Sequence, residues 1–213
     1  MSCALSLLVL SGLTMVTAVS DNISGVYTVY TNFHYPNKTS VLWGENNATS
    51  WSVQASLSPS CGTYNSSCTC DDAAWYNDWN KLWGKARCGY TNSHHDDSDR
   101  FVWRRATDSI DNTLISLAAY SYDNGRKPYE TPELLKAFKT LLSPDVIYTL
   151  AMTMDAAGLT QYQLLSEDGV FLEQQEVQHS NLCPENYFEG TVHGLYFGGD
   201  CRAPTPVTIQ YWS

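Results

Sequence analysis

Short runs of β-branched and aromatic residues, cut at near-regular intervals by turn signals, fill most of this 213-residue chain and confine it to an all-β architecture. The punctuation is clearest in the second half. Residues 146–154, 160–166 and 170–177 are separated by Ala157-Gly158 and Asp168-Gly169, the spacing of an antiparallel meander. Residues 190–197 and 207–212 complete the series, joined by Gly198-Gly199-Asp200-Cys201 and Pro204. Earlier, residues 26–33 and 51–57 alternate as strands do, and 100–105 and 113–122 read as a strand pair. The second of that pair runs into Asp123-Asn124-Gly125, where Asn-Gly accepts the positive φ of a tight turn. Many short strands at this spacing imply one antiparallel β-sandwich or a closed barrel.

Two segments interrupt the pattern. Trp75, Trp79 and Leu82/Trp83 recur at helical spacing after Asp71-Asp72, which predicts a short helix over 73–83 ending at Gly84. Thr131-Pro132-Glu133 has an N-cap, a proline at the first helical position and an acid in the first turn. Leu134, Leu135, Phe138, Leu141 and Leu142 then form one apolar stripe, stopped by Ser143-Pro144, and predict a second helix laid on a sheet.

The first twenty residues have the form of a signal peptide. An apolar run over 4–13 carries no charge, and Ala18-Val19-Ser20 has the small-x-small form of a cleavage site before Asp21. The run is short for a bilayer span, so residues 21–213 are expected as one secreted domain with no membrane insertion after signal removal. Asn22, Asn37, Asn47 and Asn65 each begin an N-x-Ser/Thr sequon, which points to a glycosylated part over about 21–70. Without Cys3, six cysteines remain: Cys61, Cys68, Cys70, Cys88, Cys183 and Cys201. In an oxidising compartment they read as up to three disulfides among fifteen possible pairings, with Cys183–Cys201 the favoured one. A zinc site at Cys68-x-Cys70 lacks the usual two-residue spacing. Net charge is −10 and the pI about 4.7, which argues against nucleic acid or anionic membrane as partner.

The densest chemistry lies in His94-His95-Asp96-Asp97-Ser98-Asp99-Arg100, directly before a strand in which Phe101 and Trp103 share one face and Arg100, Val102 and Arg104 the other. His94, His95, Asp97 and Asp99 offer ligands for zinc or, through the carboxylates alone, for calcium, although the spacing lacks the glycine and distal glutamate of an EF-hand loop. The competing reading is a solvated loop in which one histidine and Arg100 bond structurally to nearby carboxylates. Trp75, Tyr76 and Trp79, with His95 and Arg100, are the candidate glycan contacts, because indole and phenol rings stack on sugars. The same rings equally suit a sandwich core.

Hydrolysis would need two carboxylates facing one cleft, and Glu173 and Glu176 point to opposite faces of a strand. A lyase would need His, Arg and Tyr to converge; His179, His193, Arg202 and Tyr211 are available, without a pattern that brings them together. Nucleophile, zinc-protease and phosphate-loop motifs are absent.

Trp79-Asn80-Lys81-Leu82-Trp83-Gly84, His94-His95-x-x-Ser98-x-Arg100-Phe101-x-Trp103-Arg104, Ala119-Tyr120-x-Tyr122-x-Asn124-Gly125 and Tyr196-Phe197-Gly198-Gly199-Asp200-x-x-Ala203-Pro204 occur in this order. Together they resemble a family of small secreted or envelope-associated microbial domains with concanavalin-A-like, jelly-roll β-sandwiches. The resemblance covers residues 75–211. It implies a fold, and it brings no activity and no catalytic residue. The expectation is therefore a secreted glycoprotein acting as a non-catalytic glycan-binding or surface module. A polysaccharide lyase or glycoside hydrolase on the same fold, and a structural coat or matrix protein, are the alternatives.

Overall fold

The computed structural model describes residues 19–20, 23–37, 41–42, 49–64, 79–88, 95–106, 113–182, 192–198 and 202–212. It is an antiparallel sandwich of two sheets. The first contains β2 (Gly25–Val29), β4 (Ser50–Leu57), β9 (Ile147–Met154), β10 (Leu159–Ser166), β11 (Phe171–Gln178) and β13 (Val207–Trp212), in the order β11-β10-β9-β4-β13-β2. The two-residue β1 (Val19–Ser20) pairs parallel with β4 at Trp51 and Ser52. The second sheet runs β3-β12-β5-β6-β7-β8, with β3 (Val41–Leu42), β5 (Asn80–Ala86), β6 (Ser98–Arg105), β7 (Ile115–Tyr122), β8 (Leu135–Ala137) and β12 (Val192–His193).

The strand alternation converts directly into layers. In β4, Trp51, Val53, Ala55 and Leu57 are buried while Ser50, Ser52, Gln54 and Ser56 lie on the other face. They meet Trp83, Phe101, Trp103 and Leu117 of the second sheet in one core. Full burial of each such side chain contributes about 1.5–3 kcal/mol. β6 and β7 differ, being buried at nearly every position and hence on both faces. Their outer face has its own apolar cluster of Trp79, Val102, Ala118, Tyr120 and Tyr122, with Leu135 against it.

The meander and the β6–β7 pair form as the sequence predicts, and Gly158 and Gly169 take φ of 78° at the two turns. Asn124 and Gly125 take φ of 53° and 75°, closing a two-residue turn between Asp123 and Arg126. Of the described residues in the predicted 190–197 strand, Val192–His193 form a strand and Tyr196 bridges to Lys81.

Among the described residues neither predicted helix forms. Thr131-Pro132-Glu133 opens a single 3-10 turn, Pro132–Leu134, after which the chain becomes β8 and pairs with β7. An unpaired edge of β7 is worth more to this segment than a helix one turn longer; Leu134 is buried from the 3-10 turn, and Phe138 and Leu142 from the chain beyond it. The 79–83 part of the other helix is β5, with residues 73–78 lying outside the described ones. Its register against β6 slips between Lys81 and Trp83, and this bulge is what let strand residues mimic helical spacing. One further helical turn, α1 (Ser60–Thr63), was not predicted.

Cys61, assigned above to a disulfide, is a free and fully buried thiol. It sits in α1 against β13, with Sγ donating to the Thr208 carbonyl at 3.7 Å, and burial pushes its thiol up to about 12. Cys88 is disulfide-bonded. Cys68, Cys70, Cys183 and Cys201, and the proposed Cys183–Cys201 link, lie outside the described residues.

Candidate functional site

β6 sorts its side chains by parity and so builds two different sites. Asp99, Phe101 and Trp103 face the core; Arg100, Val102 and Arg104 face out. The three described candidate metal ligands fall on two sides of the sheet, although they share one parity, because His95 and Asp97 precede the strand. Asp97 and Asp99 go to an interior ion network, while His95 lies on the outer side, its ring tilted at 36° to that of Tyr122 with centroids 5.2 Å apart. An ion cannot span the sheet, so this set does not form one coordination sphere. His94 lies outside the described residues. Among the described residues no group of three or more His, Cys, Asp or Glu is placed to hold a metal.

The interior network joins residues of β6, β7 and β10 with the segments that follow β5, β7 and β11. Arg87, just after β5, contacts Asp97 (3.0 Å), Asp99 (3.0 Å) and Asp123 (3.5 Å) and donates to the Tyr122 and Asn181 carbonyls. His179 lies between Asp99, at 3.1 Å through Nε2, and Asp123, at 3.6 Å through Nδ1. Ser121 and Tyr162 donate to Asp99 Oδ1 at 2.6 and 2.7 Å, and Thr160 lies 3.1 Å from His179 Nε2. Ser180 and Asn181 backbone amides donate to Asp123, and the Asn181 side chain donates to Asp97 at 2.8 Å. Burial would raise the Asp99 and Asp123 carboxyls. The His179 and Arg87 charges at Asp99, and the bonds from His179, Ser180 and Asn181 at Asp123, hold both well below the ordinary range. With its charged side chains buried, this network ties strands together through ion pairs as well as hydrogen bonds, the Arg87 Nε and His179 Nδ1 contacts being ion pairs only.

The outer face is of another kind. Arg100 lies opposite Tyr120 and Gly84, Val102 opposite Ala118 and Lys81, and Ser98 opposite Tyr122. The Lys81 ammonium stands 4.9 Å above the Tyr120 ring, and the Arg104 guanidinium 4.3 Å above Trp79. Tyr120 and Tyr122 meet edge to face at 5.8 Å. Arg100, Tyr120, Tyr122 and Trp79 form a buried floor; Lys81 and Arg104 are half-exposed and His95 is exposed at its margin. Desolvation lowers the Arg100 guanidinium to about 10, still cationic near neutrality. Partial burial, then the charges of Arg100 and Lys81, holds His95 below its ordinary value. Asp99 is the sole carboxylate in β5, β6 and β7, and it points the other way, so among the described residues of these three strands the outer face carries cations and aromatic rings beside the apolar Val102 and Ala118, with Asp96 near His95 at its margin.

Three of the five predicted glycan contacts, Trp79, His95 and Arg100, are thus brought onto one face. Trp75 and Tyr76 lie outside the described residues. Lys81, Arg104, Tyr120 and Tyr122 join them, and their signal in the sequence was strand parity with Arg100. Of the possible lyase set, the described side chains do not converge: His179 and Tyr211 are interior, with Tyr211 donating to the Leu82 carbonyl at 2.6 Å, and Arg202 is exposed, while the His193 side chain lies outside the described ones. Glu173 accepts from the Lys139 and Thr140 backbone amides, and Glu176 from Gln161 and Gln174, which fits their opposite faces.

Solved structures resemble the chain at this level. A mutant of the alginate lyase Aly36B, in complex with alginate trisaccharide, matches with a TM-score of 0.51 at 11% identity, over 87% of this chain and 78% of that one. What the two share is the fold. The alginate lyase vAL-1 from Chlorella virus matches with a TM-score of 0.46 at 11% identity, over 87% and 83%. The receptor-binding domain of botulinum neurotoxin type G matches with 0.43 at 11%, over 90% of this chain and 39% of that one. At the level of sequence, no family description and no curated protein matches.

Proposed function

We propose that the chain is a secreted glycoprotein module that binds acidic glycans, without cleaving them, through the outer face of the second sheet. The observation that carries this reading is the row of Trp79, Lys81, Arg100, Arg104, Tyr120 and Tyr122, cationic and aromatic with no carboxylate among them. Cations pair with uronate or sulfate groups, and rings stack on the apolar faces of sugars. The fold likeness to a lyase holding alginate trisaccharide supports the choice of a uronate polymer as the first ligand to try. Among the described residues no helix is long and apolar enough to cross a membrane.

Calorimetric titration of the full chain with alginate, polygalacturonate and a neutral β-glucan, with and without calcium, tests the reading. Binding to the two polyuronates is expected, with Lys81→Ala and Arg104→Ala each weakening it roughly tenfold, about 1.4 kcal/mol. Equal affinity for the neutral glucan, or indifference to both substitutions, would sink it.

One observation favours a second reading, cleavage of the same polymer by β-elimination. His95 is exposed and lies tilted against Tyr122, and partial burial and then the Arg100 charge hold it below its ordinary value. A neutral imidazole can take a proton while an arginine offsets the substrate carboxylate. Ultraviolet absorbance of an unsaturated uronate, rising during the same titrations and lost in His95→Ala, would decide for it.

A further inference from the structure

We infer that Asn37 carries an N-linked glycan whose first sugar packs on the ring of Tyr35. This rests on the export reading above, since only an exported chain meets a glycosylating enzyme.

The geometry is that of a short antiparallel turn. The Val29–Pro36 bridge sets Thr28 opposite Asn37 and Tyr30 opposite Tyr35. Those four residues therefore share one face, with the buried Val29 and half-buried Pro36 on the other. Asn37 N–H donates to the Thr28 carbonyl at 2.9 Å, and Thr28 N–H donates to Asn37 Oδ1 at 3.1 Å. The side-chain oxygen is thus engaged, which fixes the amide. Its Nδ2 makes no hydrogen bond among the described residues, and Asn37 is exposed. Asn37-Lys38-Thr39 is a sequon.

Beside this amide lies an aromatic surface that the fold holds open. Tyr35 is 69% exposed, Phe33 61% and Tyr30 52%. Their backbone is not loose. Asn32 takes φ of 70° and donates to the Ala203 carbonyl at 2.8 Å, Ala203 donates back to Phe33 at 3.0 Å, and Phe197 donates to the His34 carbonyl at 2.8 Å. Tyr196, stacked on His34 at 5.2 Å, meets Tyr35 edge-on at 5.1 Å. Side chains two apart on an extended chain stand about 7 Å from each other, within reach of a single sugar ring. Residues 23–37 contain no Asp, Glu, Lys or Arg, so nothing there selects a charged partner. An uncharged sugar needs only a ring face and nearby polar groups.

In the transfer step, Asn37 Nδ2 attacks C1 of the sugar on a lipid-diphosphate-linked oligosaccharide. The C1–N bond forms, the C1–O bond to phosphate breaks, the lipid diphosphate leaves, and a base of the transferase takes the amide proton.

The full chain, expressed in a eukaryotic secretory host, gives the test. Peptide mass spectrometry reads occupancy at Asn22, Asn37, Asn47 and Asn65, and thermal melts compare Thr39→Ala in the wild-type and Tyr35→Ala backgrounds. Asn37 is expected to be occupied. Thr39→Ala is expected to lower the melting temperature by about 2–4 °C in the wild-type background. It should do nothing in Tyr35→Ala, or in chain made without glycosylation, and trimming the glycan to its first sugar should leave the melt unchanged. If no sequon is occupied, the export reading falls and takes this one with it. If other sequons are occupied and Asn37 is bare, this inference alone is overturned. Occupied Asn37 with the same Thr39→Ala shift in both backgrounds overturns the stacking.

Discussion

His179 is fully buried, yet its environment favours the charged ring. Burial by itself lowers an imidazole, but the Asp99 charge and the bonds to Asp123 and Asp99 outweigh it and raise His179 above its ordinary value. The folded chain therefore binds more protons here than the unfolded chain between about pH 6.5 and the folded pKa. The stabilisation is fully present below about pH 6.5 and is lost as pH rises through the folded value. Denaturant unfolding in steps from about pH 6 to about pH 9 should show stability falling across that window. In His179→Gln the fall should be absent, with a loss of about 1–3 kcal/mol at the acid end. The depressed His95 acts with the opposite sign, but only below about pH 6.5. A wild-type profile flat above that pH would refute the assignment. Of this network the sequence shows Asp97 and Asp99 plainly, beside the wrong histidine. Their partners Arg87, Asp123 and His179 come from other elements, and no periodicity links residues that meet only across a sheet.

At the scale of the strand, β5 decides what the outer face can be. Strand parity on β6 was readable in the sequence, and with it the pairing of Arg100 and Arg104 on one side. The bulge in β5 was not, because Trp79 and Trp83 at i and i+4 imitate a helical face, while the slip sends Trp79 outward and Trp83 into the core. Local signals at Thr131-Pro132 failed for a related reason: tertiary pairing with β7 overrode a helix start. Gly84 makes the close approach of β5 and β6 possible. A methyl group there would stand 2.2 Å from the Asp99 carbonyl oxygen and 2.6 Å from the Arg100 Cα, both backbone atoms. Gly84→Ala is expected to cost about 1–3 kcal/mol by forcing the strands apart. Because Arg100 is the residue displaced, polyuronate affinity should fall in the same variant. Denaturant unfolding and calorimetric titration read the two effects separately; loss of neither would show that the ladder absorbs the methyl group.

For the whole molecule, the hairpins β9-β10-β11 and β6-β7 are local, and their spacing announced them. The joins that make a sandwich of them are long-range: β4 pairs with β9, and β13 enters between β4 and β2. A strand that enters mid-sheet from so far along the sequence has no local signature. It also makes the fold depend on residues 207–212. Val207, Ile209 and Tyr211 are buried, and the Tyr211 hydroxyl ties the first sheet to the Leu82 carbonyl of the second. At about 1.5–3 kcal/mol for each buried side chain, their removal forfeits about 4.5–9 kcal/mol, before counting the ladders to β2 and β4. That is comparable with the whole stability of a typical domain, about 5–15 kcal/mol. Deleting residues 207–213 should therefore abolish the cooperative thermal transition and the near-ultraviolet circular dichroism of the packed tryptophans. A truncated chain that still melts cooperatively would mean that β2 and β4 can close the sheet without β13.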